Sequence, residues 1–119
     1  MTNLHLFRHS TDAQSYTAGQ TIFEEGQPGD VMYVVQEGQV DIFLAGQAID
    51  SSGPGGIIGE MALISAKPRS ATAVAKTDCK LVPIDEKRFT FLVQQTPYFA
   101  LQVMHVIADR LRRYLEAAA

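Results

Sequence analysis

Cysteine is almost absent from this chain. The single Cys79 excludes an internal disulfide, and its place between Asp78 and Lys80 at the start of an apolar run fits a strand residue rather than a reactive thiol. Basic charge is not in excess either. Lys and Arg number 10 against 13 Asp and Glu, a formal net charge of −3, so the chain lacks the basic face that displaces phosphate counterions. Nucleic acid is not an expected partner of this chain by itself. No apolar run approaches the ~20 residues that span a bilayer. Met1 to Ser10 also lacks the basic-then-apolar layout of a signal peptide. No membrane contact is expected, and the expected location is the cytoplasm. Internal repeats and low-complexity segments are missing, and Ala117 to Ala119 read as a fraying helix end.

Catalytic chemistry is equally thin. A metal-dependent β-roll enzyme needs histidines and a carboxylate clustered on strands. His5 and His9 lie near the terminus and His105 on a late helical segment, so no metal is expected. No Gly-x-Ser-x-Gly element occurs, and Cys79 has no histidine nearby in sequence. The chain is expected to be a binding module, with no catalytic residues.

What is present suffices to fold. Apolar residues make up 46% of the chain and charged residues 19%, inside the globular range, and 119 residues are one domain's worth of material. From about residue 14 to 84, short apolar segments alternate with Gly, Pro and Asp turns, the pattern of an all-β roll or sandwich. Val31 to Gln36 follows the Gly26 to Asp30 loop, and Glu37-Gly38 turns it into Val40, Ile42 and Leu44, whose alternation points one face inward. Ala45-Gly46-Gln47 makes the next reversal. Ser70 to Ala75 and Lys80 to Ile84 supply two further strands.

Helices follow, over about 85–117. Asp85 is a good N-cap for a helix over Glu86 to Gln95, with Phe89, Leu92 and Val93 on one side. Thr96 and Pro97 open a second helix reaching about Leu115, where Arg110, Arg112 and Arg113 suit the helix dipole. Leu101, Met104, Ala108, Leu111 and Leu115 form one stripe, and Ala100, Val103, Ile107 and Tyr114 a second. One stripe is expected to cover the β part. The other is expected to meet the same helix of a second copy, a homodimer through the C-terminal helix.

The segment from Gly53 to Ala73 fits no simple β pattern. Glycines at 53, 55, 56 and 59 bring the backbone close without side-chain bulk. Glu60 to Leu63 composes one helical turn, whose open N–H groups favour an anion. Arg69 offers a planar fork for two phosphate oxygens. Glu60 accepts hydrogen bonds, and a ribose hydroxyl would satisfy it. The bland alternative for these two residues is a loop-closing salt bridge.

Ile58-Gly59-Glu60-Met61-Ala62-Leu63 followed by Pro68-Arg69-Ser70-Ala71-Thr72 resembles the phosphate-binding cassette of cyclic nucleotide-binding domains, the catabolite activator protein and protein kinase A regulatory subunit type. Gly26 to Asp30, the Val31 to Val35 strand, Glu37 to Val40 and the two closing helices resemble that family's order of elements. One departure is Ile58, where the family usually has an aromatic residue. The resemblance implies a mainly β fold with flanking helices: a β jelly roll (double-stranded β-helix) closed by C-terminal helices, spanning 1–119 as one domain. It also implies a ligand site of Gly59, Glu60, Met61, Ala62, Arg69, Ser70 and Ala71. Glu60 would take the ribose 2′-hydroxyl and Arg69 the cyclic phosphate, with backbone N–H groups near Ala62, Ser70 and Ala71 completing the cradle. Tyr114 or Leu111 would cover the base. The expected ligand is cyclic AMP, with cyclic GMP the alternative, and the expected output is regulatory, through the C-terminal helices to a separate effector protein. The competing reading is an interaction module that keeps the fold and binds no nucleotide.

Overall fold

The computed structural model describes residues 7–118. His5, most of the stretch read for a leader, and Ala119 lie outside the described residues. Among the described residues no helix is long and apolar enough to cross a membrane.

The chain runs β1 (Gln14–Tyr16), β2 (Thr21–Phe23), β3 (Val31–Glu37), β4 (Val40–Leu44), β5 (Gln47–Ser52), β6 (Ile57–Ile58), α1 (Glu60–Ser65), β7 (Thr72–Ala75), β8 (Cys79–Asp85), α2 (Glu86–Gln95) and α3 (Tyr98–Ala118). Two antiparallel four-stranded sheets form, ordered β1-β8-β3-β6 and β2-β7-β4-β5. The architecture is a β-sheet core with flanking C-terminal helices.

The first sheet is buried on both faces. Met32, Val34, Ile57, Val82 and Ile84 point to a cluster completed by Phe7 and by Phe99 and Val103 of α3. Val35, Ile58, Cys79 and Leu81 point the other way, toward Phe23, Val40, Ile42, Ala73 and Ala75 of the second sheet. Val31 to Val35 therefore reads as an unbroken apolar run, where a half-exposed strand would alternate. Phe99 anchors the helical cluster. It is fully buried and meets Phe7 and Phe89 edge-on at centroid distances of 6.3 and 5.4 Å. Such pairs contribute about 0.5–1.5 kcal/mol each beyond their area burial.

Turn chemistry sets the hairpins. Ala45 and Gly46 both have positive φ, 51° and 81°, the geometry whose twist matches the strands of a two-residue β4–β5 connection. Asp85 caps α2 by accepting from Arg88 N–H at 2.8 Å. Helix α2 spans the residues expected of it. Helix α3 starts at Tyr98, one residue later than expected, with the Thr96 carbonyl accepting from Phe99 N–H at 2.8 Å.

Several local expectations are corrected. Leu44 is 45% exposed although it continues the Val40 and Ile42 alternation, because on that inner side it lines an open cavity beside Ile42 where no packed neighbour covers it. The strand expected from Ser70 begins at Thr72. On α3, Val103 is buried and Ile107 half-buried, whereas Leu101, Met104, Leu111 and Leu115 lie 40–63% exposed. The two stripes are thus unequal: Val103 and Ile107 meet the β core, Leu101, Met104 and Leu115 face outward, and Leu111 lies at a cavity. Cys79 is a buried strand residue whose Sγ sits 3.2 Å from the carbonyls of Gln39 and Thr77.

Candidate ligand-binding site

A cavity of about 360 Å³ lies between the second sheet, the α1 segment and the C-terminal half of α3. Gly59, Glu60, Met61, Ala62, Arg69, Ser70 and Ala71 all line it, so residues selected over a thirteen-position stretch do converge on one space. Across from them stand Leu44 and Ile49 of the β4–β5 hairpin and Ile107, Leu111 and Tyr114 of α3.

Glycine geometry places the charged groups. Gly59 is left-handed at φ 76°, and a Cβ there would fall 2.7 Å from Arg69 Nη1. A side chain at 59 would be strained and would strike the arginine as well. It is the N-cap of α1, with no side-chain cap hydrogen bond to the helix's first N–H groups. A Cβ at Gly29 would lie 2.2 Å from Arg69 Nε, so the loop before β3 must lack a side chain for the guanidinium to occupy its seat.

Arg69 is only 6% exposed. Its backbone is fixed by the Gly26 to Gln27 loop: Arg69 N–H donates to the Gln27 carbonyl at 2.8 Å, and Gly26 N–H to the Arg69 carbonyl at 2.8 Å. Its guanidinium lies over the Phe23 ring, 4.2 Å from the centroid, and Nη1 donates to the Gly59 carbonyl at 3.2 Å. Burial pulls this guanidinium below the usual arginine range, opposed by Tyr33, Asp30 and Glu60. Even so, an arginine stays charged at neutral pH. Among the described residues no carboxylate comes within 4.0 Å of it.

Glu60 is 4% exposed and does not pair with Arg69. The loop-closing salt bridge between them is therefore not formed. Its Oε1 instead accepts from Nη1 of Arg110 on α3, fifty residues away in sequence. Among the described residues no donor reaches its Oε2, which leaves that oxygen for a further hydrogen bond.

Arg110, Asp50 and Arg113 were not legible as site residues. Arg110 Nε donates to Asp50 Oδ2 at 3.1 Å and Nη2 to the Ile57 carbonyl. Arg113 donates to Asp50 Oδ1 and Oδ2 at 3.0 and 3.4 Å. The sequence suggested only helix-end charges. The remaining signal was Asp50 itself, a lone carboxylate in a strand segment. Tyr114, read as a cover over the base, lines the cavity mouth. Burial raises its hydroxyl pKa, and Asp50 adds to the shift.

The assembled chemistry is recognition rather than turnover: an unpaired buried cation, a half-satisfied carboxylate and apolar walls. No group of His, Cys, Asp and Glu able to hold a metal occurs among the described residues. These parts suit a small anionic, hydroxyl-bearing ligand.

Known proteins place the chain further. The sequence pattern of the family described as the cyclic nucleotide-binding domain matches residues 13–96, and the chain belongs to that family. Over 83 residues it is 42% identical to the cAMP-dependent protein kinase regulatory subunit of Eremothecium gossypii, a match covering 70% of this chain and 18% of that protein. The Thermus thermophilus catabolite activator protein superposes with a TM-score of 0.78 at 33% identity, over 91% of this chain and 55% of that one. A cyclic nucleotide-binding domain from Methylobacillus flagellatus gives 0.70 at 25% identity, over 88% and 62%. The chain thus spans about a fifth of the kinase subunit and about half of the Thermus protein. Domains of this family are regulatory, not catalytic.

Proposed function

We propose that this chain senses cyclic AMP, holding the cyclic phosphate on Arg69 and the ribose 2′-hydroxyl on Glu60, and relays occupancy through α3. The observation that carries the reading is Arg69: a 6% exposed guanidinium on the cavity wall with no carboxylate in ion-pair range among the described residues. A buried charge without a counterion is costly, and a phosphate removes that cost. The open Oε2 of Glu60 stands on the same wall. The first-turn N–H groups of α1 and those near Ser70 and Ala71 complete the cradle in this reading.

Cyclic AMP is favoured over cyclic GMP by the far wall. On that wall Leu44, Ile49, Ile107 and Leu111 are apolar, and Tyr114 brings a single hydroxyl. Guanine brings more hydrogen-bonding groups into that space than adenine, and unpaired buried polar groups lower affinity. Ser70 and Tyr114 are the hydroxyls within reach of the cavity, and Tyr114 is the proposed cover over the base.

The fold reading goes with this one. The orders β1-β8-β3-β6 and β2-β7-β4-β5, in which the chain passes back and forth between sheets, support a β jelly roll closed by the C-terminal helices and acting as one domain over 1–119. The outward stripe of α3, with Met104 and Leu115 more than half exposed, supports an output surface there, for a second copy or a separate effector.

Calorimetric titration with cyclic AMP and cyclic GMP tests the proposal. Arg69→Ala removes a bidentate charge-assisted contact and is expected to cost about 2–5 kcal/mol, roughly 30-fold or more in Kd. Saturable binding, tighter for cyclic AMP and lost in the variant, is the expected outcome. No heat and no thermal stabilisation with either ligand would instead leave the nucleotide-free interaction module.

A further inference from the structure

Asp50 sits on β5, yet its side chain is 5% exposed and its acceptor capacity is fully committed. Oδ2 takes Arg110 Nε at 3.1 Å and Arg113 Nη2 at 3.4 Å, while Oδ1 takes Arg113 Nη1 at 3.0 Å and the Ser51 N–H at 2.8 Å. A carboxylate so engaged has nothing left for a ligand. It holds two arginines one turn apart on α3, and so fixes the rotation of that helix over the cavity.

Arg110 is the link to the ligand. Its three kinds of nitrogen go to three different acceptors: Nε to Asp50, Nη1 to Glu60 Oε1 and Nη2 to the Ile57 carbonyl. A planar guanidinium held at Asp50 presents Nη1 to Glu60 in one orientation. Glu60 is then held in one rotamer, with Oε2 directed at the cavity.

We propose that Asp50 is a positioning residue for nucleotide recognition: through Arg110 it orients Glu60 toward the ribose 2′-hydroxyl and fastens α3 across the pocket. The proposal rests on the reading of Glu60 as the ribose ligand. Binding of the sugar and docking of the helix are then one event, because the same carboxylate serves both.

The test compares cyclic AMP with 2′-deoxy cyclic AMP by calorimetry on the wild-type chain, Asp50→Asn and Arg113→Ala. Asp50→Asn is expected to raise the Kd for cyclic AMP about tenfold, and that for the 2′-deoxy ligand about threefold or less, as expected for residues coupled in one network. Arg113→Ala removes a side chain that is 56% exposed. It keeps the fold safe and is expected to show the same ligand-dependent difference at smaller size. Equal losses with both ligands in both variants would reduce Asp50 to a structural tie and overturn the proposal, as would unchanged affinities. A wild-type chain that binds neither ligand would overturn the nucleotide reading itself, and this proposal with it.

Discussion

Arg110→Met isolates the energetics of the buried ionic network. Methionine keeps the stem of Arg110 packed beside Ile107 and Leu111 but removes the cation. Asp50 retains Arg113, at 3.0 Å. Glu60, whose side chain is 6% exposed, retains no cation within 4.0 Å among the described residues. Breaking a buried pair on one side costs about 3–5 kcal/mol, because the surviving charge is left without compensation. The whole chain is stabilised by roughly 6–18 kcal/mol at 0.05–0.15 kcal/mol per residue, so the loss is a large fraction. At ~4 °C per kcal/mol for a chain of this size, Tm should fall by about 12–20 °C, read by circular dichroism with temperature. Adding Glu60→Gln to the same chain removes the orphaned charge and should restore more than half of the loss. A single variant melting within about 4 °C of the wild type would refute the argument, since the pair would then contribute like an exposed one. A double variant no better than the single would refute it too.

Two further outcomes follow from other contacts. Gly29→Ala places a Cβ where Arg69 Nε now lies, at 2.2 Å. The guanidinium must shift, and cyclic AMP affinity should fall about 10- to 100-fold, the equivalent of one charge-assisted hydrogen bond; calorimetry showing wild-type affinity would mean the seat of Arg69 is not set by this loop. The Tyr16 hydroxyl is pushed from 10.0 up to about 12 by burial and by neighbouring Tyr33. The unfolded chain releases this proton first, so the stabilisation is fully present below pH 10 and is lost as pH rises from 10 toward 12. Urea melts at pH 9, 10 and 11 should show that decline, and Tyr16→Phe should flatten it.

The residues that converge on the cavity from the Gly59 to Ala71 stretch were legible because their signals are local. The glycines, Glu60 and Arg69 fall within a short stretch, and the α2 boundary follows from Asp85 and the Phe89, Leu92, Val93 spacing. Strands β1, β2 and β6 have two or three residues each, too few for a period to register. Leu44 keeps the side of β4 that its alternation with Val40 and Ile42 implies, but it faces a cavity there and not a packed core, a distinction that alternation does not carry. Arg110 was misread for a different reason. Its function depends on a carboxylate sixty positions earlier, and no helix spacing encodes a contact made across the fold. A helix-end arginine and a cavity arginine look alike until the chain is folded.

Helix α3 serves two cores unequally. Its start is locked by Phe99 and Val103 into the cluster on the outer face of the first sheet. Its later part reaches the cavity through Ile107, Arg110 and Tyr114. From Val103 to Ala118 the helix extends ~22 Å at 1.5 Å per residue, so it is a lever whose pivot is apolar and close-packed and whose arm is held by the contacts of Arg110 and Arg113 with Asp50. A tilt of ~10° about that pivot carries the tip ~4 Å, while the apolar end moves within the tolerance of its packing. Any displacement that breaks the grip on Asp50 is therefore amplified along the helix away from the cavity, toward the far end of α3.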